Sequence, residues 1–508
     1  MTAIVRNTFR IYNARTFISS LVPVDAVTSN TLYLGIGRPQ PWSDTSDSPV
    51  EPANNIEHEL TDWSDLMHMK RIFASNISHV IPKRLWSPNS VYDMYRHDWN
   101  GFIDLEDNNV VSEVNGETPP DLSKVTCYTI SSTKKIYLCV KSGRLSNGSV
   151  APSTVDPDEG TTTVPNTSFV TTTATSLKYT ADGYVWLQLA DSTDFGSFET
   201  ADYFPISTAT ADSTGNSAIQ YSWQTEGSAF KGGIYNIIVT TKGSGYNGGA
   251  NGTFEISSSD TGEVTFGDGT PHVKVAGDGV GLKYVVKYVS GVLSDIVVTN
   301  PGTGYTWANV YVVNAGGSGA TAKAILTPLH GLSVDPVKTL NAYFTAIDVI
   351  ISDDENTGDA AVVHGVDFTV ANDYRKIMLI SNPKLTVGGG LAESSRIDMT
   401  YGLTTSSQTN IQPDDILVNG TCRVRVVDAS PVDNLIRVVQ IDLDKTGSQS
   451  NTDIVTGTFT KTGGSATVTN IIQPGCVRGS GDVVYADYRR PVMRAPLQSE
   501  QFKIILEF

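Results

Sequence analysis

One stretch of this chain occurs twice. Ile237-Ile-Val-Thr-Thr-Lys-Gly-Ser-Gly-Tyr246 is matched by Ile296-Val-Val-Thr-Asn-Pro-Gly-Thr-Gly-Tyr305, at an offset of 59 residues. Each copy reads as a β-branched strand running into a Gly-x-Gly-Tyr turn, where the glycines supply positive φ and the tyrosine closes the strand end. Two copies predict a duplicated small β module over 231–327 and are too few for a solenoid.

The same texture extends well beyond the repeat. Cys127–Ile130 and Lys135–Val140 read as a hairpin pair, and Tyr184–Leu189 as a compact buried strand. Residues 161–180 hold nine threonines, which suits an exposed strand or extended loop. A second β-rich segment, about 405–475, carries Cys422–Val427, Leu435–Leu443 and Ala466–Thr469 between Gly, Ser and Thr turns, the pattern of a barrel or sandwich. Phe502–Phe508 reads as a strand that must be tied into a sheet to avoid fraying. Residues 1–100 are mixed. Phe9, Tyr12, Asn13, Phe17 and Leu21 lie near helical spacing, Thr31–Ile36 reads as a buried strand, and a second helix is expected from Trp63 to about Ala74. Trp86–Trp99 has a proline and little periodicity and reads as loop. The fold class is therefore mainly β (α+β) and multidomain, since 508 residues exceed one ordinary core.

Charge narrows the partners. With 36 basic and 53 acidic residues the formal charge is −17, which repels phosphate backbones and anionic lipid, so no nucleic acid is expected. No apolar run approaches a membrane span; Tyr284–Gly291 is broken by Lys287 and Gly291. Met1–Arg10 lacks the apolar core of a secretion signal, and synthesis in a reducing cytoplasm is expected. Four cysteines (Cys127, Cys139, Cys422, Cys476) are too few for a disulfide scaffold and none are spaced CxxC.

Catalytic and cofactor signatures are missing. The seven histidines (His58, His68, His79, His97, His272, His330, His364) form no His-x-x-x-His pair with a Glu and flank no Gly-x-Ser-x-Gly elbow. Gly277-Asp-Gly-Val-Gly281 is followed by a strand-like Leu282–Val286, whereas a dinucleotide site needs a helix there; a turn is the better reading. Asp353–Asp359 is the densest acidic cluster but has no bidentate Glu at calcium-loop spacing, and reads as a solvated loop. Lys83-Arg84 and Arg489-Arg490 suit a salt-bridged face or an acidic neighbour subunit. No enzyme, cofactor or metal site is expected. The seven tryptophans (42, 63, 86, 99, 186, 223 and 307) are expected to plug cores, though Trp is also enriched at interface hot spots.

Four motifs occur in fixed order: Gly37-Arg-Pro-Gln-Pro-Trp42, Val80-Ile-Pro-Lys-Arg-Leu-Trp86, Asp182-Gly-Tyr-Val-Trp186, and Tyr485-Ala-Asp-Tyr-Arg-Arg-Pro491 leading to Phe508. Together they resemble the baseplate-wedge subunit encoded by gene eight of T4-like contractile-tailed phages. His330–Pro336, Asn372–Ile377 and Asn382-Pro383 are similar to segments of related marine-phage versions. The resemblance spans roughly 1–190, 328–400 and 480–508, leaving 231–327 and about 405–475 as modules set into surface loops, where insertion costs little.

That resemblance implies a framing domain from 1–100 and 480–508, a β-rich core domain from 101–230 and 328–404, and inserted barrel or sandwich modules at 231–327 and 405–479. It implies a non-enzymatic virion component in the tail baseplate: a homodimer bound to other wedge subunits, in an assembly whose rearrangement releases sheath contraction. It singles out Gly37, Arg38, Pro41, Trp42, Pro82, Arg84, Trp86, Gly183, Tyr184, Trp186, Arg489 and Pro491 as structural or interface positions. The alternative is a tail-fibre or receptor-binding protein whose inserts recognise host surface glycans. An enzyme acting on host polysaccharide has no motif behind it.

Overall fold

A computed structural model describes residues 6–22, 30–43, 47–97, 127–144, 150–162, 177–206, 231–257, 272–313, 317–352, 368, 372–441, 453–495 and 498–508. The Asp353–Asp359 cluster, Trp99, Trp223, His364, the side chain of His272 and most of the threonine-rich 161–180 segment lie outside the described residues.

In chain order the first elements are helix α1 (Asn7–Ser20), strand β1 (Leu32–Gly37), helix α2 (Ile56–Ser64) and strands β2 (Leu66–Ile72) and β3 (Ile77–Pro82). Next come β4 (Tyr128–Ile130), β5 (Lys135–Lys141), β6 (Leu177–Tyr179), β7 (Val185–Asp191) and β8 (Tyr203–Pro205). The repeat region supplies β9 (Ile234–Ser244), β10 (Gly252–Ser257), β11 (His272–Gly277), β12 (Val280–Val289), β13 (Val292–Thr303), β14 (Ala308–Val313) and β15 (Ser318–Leu326). Helix α3 (Pro336–Thr339) precedes β16 (Phe344–Ser352), β17 (Asp373–Ser381) and β18 (Arg396–Asp398). Then follow β19 (Tyr401–Thr409), β20 (Ile416–Asn419), β21 (Cys422–Ser430), β22 (Leu435–Gln440), β23 (Gly457–Lys461) and β24 (Gly464–Ile472), and last β25 (Asp482–Met493) and β26 (Ser499–Glu507). The protein is mainly β. No helix among the described residues is long and apolar enough to cross a membrane.

The chain divides into two compact units, one of residues 1–14, 78–346 and 505–508 and one of 15–77 and 347–504. In the first, the sheet β4-β5-β7-β6 carries near-continuous apolar strands such as Val185–Asp191, buried at six of seven positions, as expected of a sheet covered on both faces. Its core joins Tyr137, Leu138, Trp186 and Leu187 to Tyr92, Met94 and Tyr95 from the irregular tract after Trp86.

The repeat module lies in the same unit and is intertwined. β9, which runs into the first Gly-x-Gly-Tyr, pairs with β15, and β13, which runs into the second, pairs with β12. Each partner strand is entered through its own Gly-x-Gly, Gly317-Ser-Gly319 or Gly279-Val-Gly281. Tyr246 lies flat over Gly317 and Tyr305 over Gly279, where any Cβ would collide with the ring. Both tyrosines are buried and join Tyr284, Val286, Ile296 and Val298 in the module's core.

In the second unit a five-stranded antiparallel sheet runs β18-β2-β1-β17-β25, and β19-β22-β21-β20-β23-β24 close into a six-stranded barrel. Period-two alternation fills the barrel: Cys422, Val424 and Val426 point in with Leu403, Ile436 and Phe459, while Arg423 and Arg425 face outward.

The expected helix from Trp63 to Ala74 is a correction. The helix starts earlier, at Ile56, because the Asn55 side chain accepts from the His58 N–H, and it ends at Ser64 with Asp65 as its C-cap. Leu66–Ile72 is instead β2, paired with β1 from Gly37↔Leu66 to Leu32↔Ile72. Leu-Met-His-Met-Lys-Arg-Ile suits either state, and burial of both faces removes the alternation that would mark a strand.

Candidate functional site

The twelve motif positions fall into two clusters, one in each unit. In the second unit, Gly37, Lys376 and Tyr488 stand in one row across β1, β17 and β25. Gly37 is required because a Cβ there would lie 2.9 Å from the Leu66 Cα and closer still to the Asp65 carbonyl. That close approach lets the Arg38 N–H donate to the Asp65 carbonyl at 2.8 Å, with Arg38 itself left-handed at φ 61°.

Beneath this row lies an ion lattice. Lys376 Nζ is 2.8 Å from Asp62 Oδ1 and 3.2 Å from Asp65 Oδ2, and the Arg38 guanidinium is 3.0 Å from Asp65 Oδ2. Lys376 is 1% exposed, so its charge is tolerable only because these carboxylates face it. Two rings roof the lattice. Arg38 stacks 4.4 Å from the Trp42 ring, Lys376 lies 4.9 Å from the Tyr488 ring, and the two rings are 5.0 Å apart. Tyr488 donates its hydroxyl to Asp62 Oδ1 at 2.5 Å; burial and that anion hold the phenol well above its ordinary range.

The remaining motif residues of this unit close the cluster. The Pro41 carbonyl accepts from Arg38 Nη2 at 2.9 Å, and the Trp42 indole donates to the Arg489 carbonyl at 2.9 Å. Arg489 and Pro491 sit where β25, the outer strand of its sheet, slips register between Tyr488 and Val492. Proline there removes no ladder hydrogen bond, and the slip with its two arginines blunts an open strand edge. Beside it Arg375 forks onto Asp47 with two 2.7 Å bonds, which keeps the Asp47 carboxyl below its usual range.

The first unit's cluster is aromatic. Tyr184 stacks on Trp186 with centroids 5.4 Å apart, and Tyr92 meets Trp186 edge-on at 5.3 Å; such pairs contribute about 0.5–1.5 kcal/mol each beyond burial. Tyr184 donates to the Ala151 carbonyl at 2.6 Å, and burial pushes its phenol up. Gly183, at φ 88°, turns the chain between Asp182 and Tyr184. Asp182 accepts the Thr154 and Val155 N–H groups at 2.7 and 3.1 Å and the Ser153 hydroxyl, which in turn accepts from the Trp86 indole. Arg84 lies over the Tyr128 ring at 5.3 Å, and Tyr128 donates to the Pro82 carbonyl at 2.7 Å.

Both clusters are built as joints between distant segments. A sequence model of the family described as Bacteriophage T4, Gp8 aligns with this chain.

Residues 3–193 match the Gp8 family.

The Gp8 match holds three of the four motifs and supports a gene-eight baseplate wedge subunit, a structural part of a phage tail; at 508 residues the chain is long enough to carry insertions beyond it. No curated protein matches the chain. The fourth motif and the β25 register slip lie outside the Gp8 match.

The other sequence signals fall elsewhere. His68 and His79 are buried, and burial, with Arg494 and Arg437 nearby, holds His68 down to about 3. All four cysteines are buried and free. Among the described residues no group of three or more His, Cys, Asp or Glu could hold a metal. Lys83 and Lys134 grip Glu199 at 2.7 and 2.9 Å, while Arg489 pairs with Asp487. Gly277–Gly281 leads into β12, a strand, as its sequence implies. Trp63 and Trp186 plug cores, but Trp307 is half exposed. Sequence reasoning missed Asp62, Asp65 and Tyr92, and held Lys376 and Tyr488 within motif segments without singling them out as site positions. The available signal was a lysine opening the apolar run Lys376-Ile-Met-Leu-Ile380, a charge that a buried strand must neutralise.

Proposed function

We propose that the chain works as a homodimeric structural subunit of a contractile-tail baseplate wedge. In this reading it links neighbouring wedge subunits and transmits the rearrangement that releases sheath contraction, without catalysing a reaction. The observation that carries the reading is the Gp8 match over residues 3–193, within which three motifs stand in order. The build of the motif residues agrees with it. Gly37, Arg38, Pro41, Trp42, Arg489 and Pro491 lock β1 to β25, and Pro82, Arg84, Trp86, Gly183, Tyr184 and Trp186 lock the strands of the first unit. A part that passes motion through interfaces needs stiff joints of this kind, because packed cores switch between discrete arrangements rather than bend. A framing domain from 1–100 and 480–508 with inserted modules at 231–327 and 405–479 completes the reading.

The test is co-assembly. The purified chain, run by light scattering on a sizing column, is expected at twice its mass, as a closed two-fold assembly requires. Mixed with the other wedge proteins of the same phage, it is expected to co-elute with at least one. Failure to join any of them would overturn the wedge assignment, and a trimer would favour a fibre.

A further inference from the structure

Lys376 is the most deeply buried lysine among the described residues, and its Nζ stands between two carboxylates that are themselves 3% and 4% exposed. Asp62, on α2, lies 2.8 Å from it, and Asp65, the C-cap of that helix, 3.2 Å. Close pairs elsewhere are wetter: Asp415 beside Lys461 and Asp295 beside Lys141 keep their side chains 21% and 39% exposed. The two carboxylates also differ in their partners. Asp65 is anchored by the Arg38 guanidinium at 3.0 Å and the Gln40 amide at 2.8 Å. Asp62 instead takes Lys376 and, at 2.5 Å, the Tyr488 hydroxyl on one and the same oxygen, Oδ1.

Each group holds the position that one reaction requires. Lys376 is an amine set against a carboxyl whose carbon is one bond from the contacted oxygen. β17 and α2 fix the two together, and such fixing is equivalent to about 10⁵–10⁸ M of reactant. Asp65 touches the same nitrogen and can carry its protons. Tyr488 donates to Oδ1, where negative charge develops when the carbon is attacked. Burial keeps out the water that would reverse the step. The charges supply the drive: condensation removes one buried cation and one buried anion, whose desolvation is costly, and leaves Arg38 still facing Asp65.

We propose that Lys376 and Asp62 condense after folding into an amide cross-link between β17 and α2, with Asp65 as proton carrier. The ion pair is the state from which the bond forms. Asp65 moves one proton from the ammonium to Asp62, and the neutral amine attacks Cγ to form the N–C bond. A second nitrogen proton passes through Asp65 to the other Asp62 oxygen, the C–O bond breaks, and water leaves. Ammonium and carboxylate thus give amide and water, and nothing is oxidised or reduced. The cross-link belongs to this joint alone and does not depend on a wedge role.

Mass spectrometry of the intact purified chain, fresh and after days at neutral pH, is expected to show a species lighter by one water. A tryptic digest should contain a peptide joining the α2 segment to β17 at an uncleaved Lys376, which separates the link from a dehydration elsewhere. Lys376→Arg keeps a cation opposite both carboxylates and should abolish the linked peptide. Asp65→Asn should slow its formation at least about tenfold. The parent's own digest decides the matter even where a variant fails to fold. The proposal is overturned if the parent keeps its full mass throughout, if Lys376 is cleaved completely in its digest, or if the linked peptide persists in Lys376→Arg. Formation at the parent rate in Asp65→Asn would overturn the role of Asp65.

Discussion

Around Lys376, two cations and two carboxylates meet beneath the rings of Trp42 and Tyr488; around Trp186, three aromatic rings meet with no charged side chain among them. Both clusters fasten segments far apart in the chain, and both contain motif residues. The ionic joint is geometrically exacting, because each buried charge is tolerated only while its partner stands opposite. The aromatic joint is held by area and shape, so it should yield gradually to lost volume and little to a lost hydroxyl. Similar tasks at two places thus imply different sensitivities, and substitutions can separate them.

The largest expected effect is at the ionic joint. Lys376→Met leaves Asp62 and Asp65 buried with Arg38 as the one cation of the lattice and only neutral donors besides, Tyr488 and Gln40, and should destabilise by about 4–5 kcal/mol, as removal of one partner of a buried pair does. Hydrogen exchange read by mass spectrometry should show the loss in peptides of β1, β17 and β25. Adding Asp62→Asn should recover part of it; if the double variant is no better than the single, the joint is not ionic in origin. Trp186→Ala should cost about 3–4 kcal/mol through the cavity it opens, with exchange rising in β5 and β7. Equal losses in all peptides for both variants would break the contrast.

Acid bears on the second unit beyond its ionic joint. Burial, with Arg494 and then Arg437, holds His68 near 3, against about 6.5 in an unfolded chain. Between those values the unfolded state binds the extra proton, so stability is lost as pH falls from about 6.5 towards 3 and does not depend on this group above 6.5. Asp47, held low by Arg375, adds to the loss in the carboxylate range. His68→Gln should therefore flatten the acid limb of unfolding for β2 and its neighbours. An unchanged limb would mean that His68 is protonated, with Asp398 at 4.0 Å as its counter-ion.

Much of the fold was legible where its cause is local. Gly-x-Gly-Tyr spacing gave strands β9 and β13 with the turns that follow them, and alternation in Cys422–Val427 gave a barrel strand, because glycine tolerance and the two-residue period are written in a few consecutive positions. The exchange of partners between the two copies was not legible, since nothing in β9 says that it pairs with β15 rather than with its own neighbour. The helix expected from Trp63 failed for a related reason: Leu66–Ile72 is a strand only because β1 lies beside it. At the candidate site, Arg38, Trp42 and Trp186 stood out as motif residues, but Lys376 lies 314 residues from Asp62, so nothing near it in sequence identifies what neutralises its charge inside an apolar strand. Tyr92 sat in a tract rightly read as loop, and its burial depends on Tyr184 and Trp186 far downstream.

The finest test compares one hydroxyl in each joint. Tyr488→Phe and Tyr184→Phe each delete one oxygen and nearly preserve volume. Tyr488 donates to an ionised carboxylate, Asp62, whose other close partner is Lys376; losing a bond to a charged group costs about 1.5–3 kcal/mol. Tyr184 donates to the Ala151 carbonyl and also receives the Tyr92 N–H at 3.3 Å, both neutral, so about 0.5–1.5 kcal/mol is expected. Urea titration of the two variants with exchange read separately in β25 and β7 would measure the difference. If Tyr184→Phe proves the more damaging, the aromatic joint depends on its hydrogen bonds as much as on its area, and the contrast between the clusters reduces to charge alone.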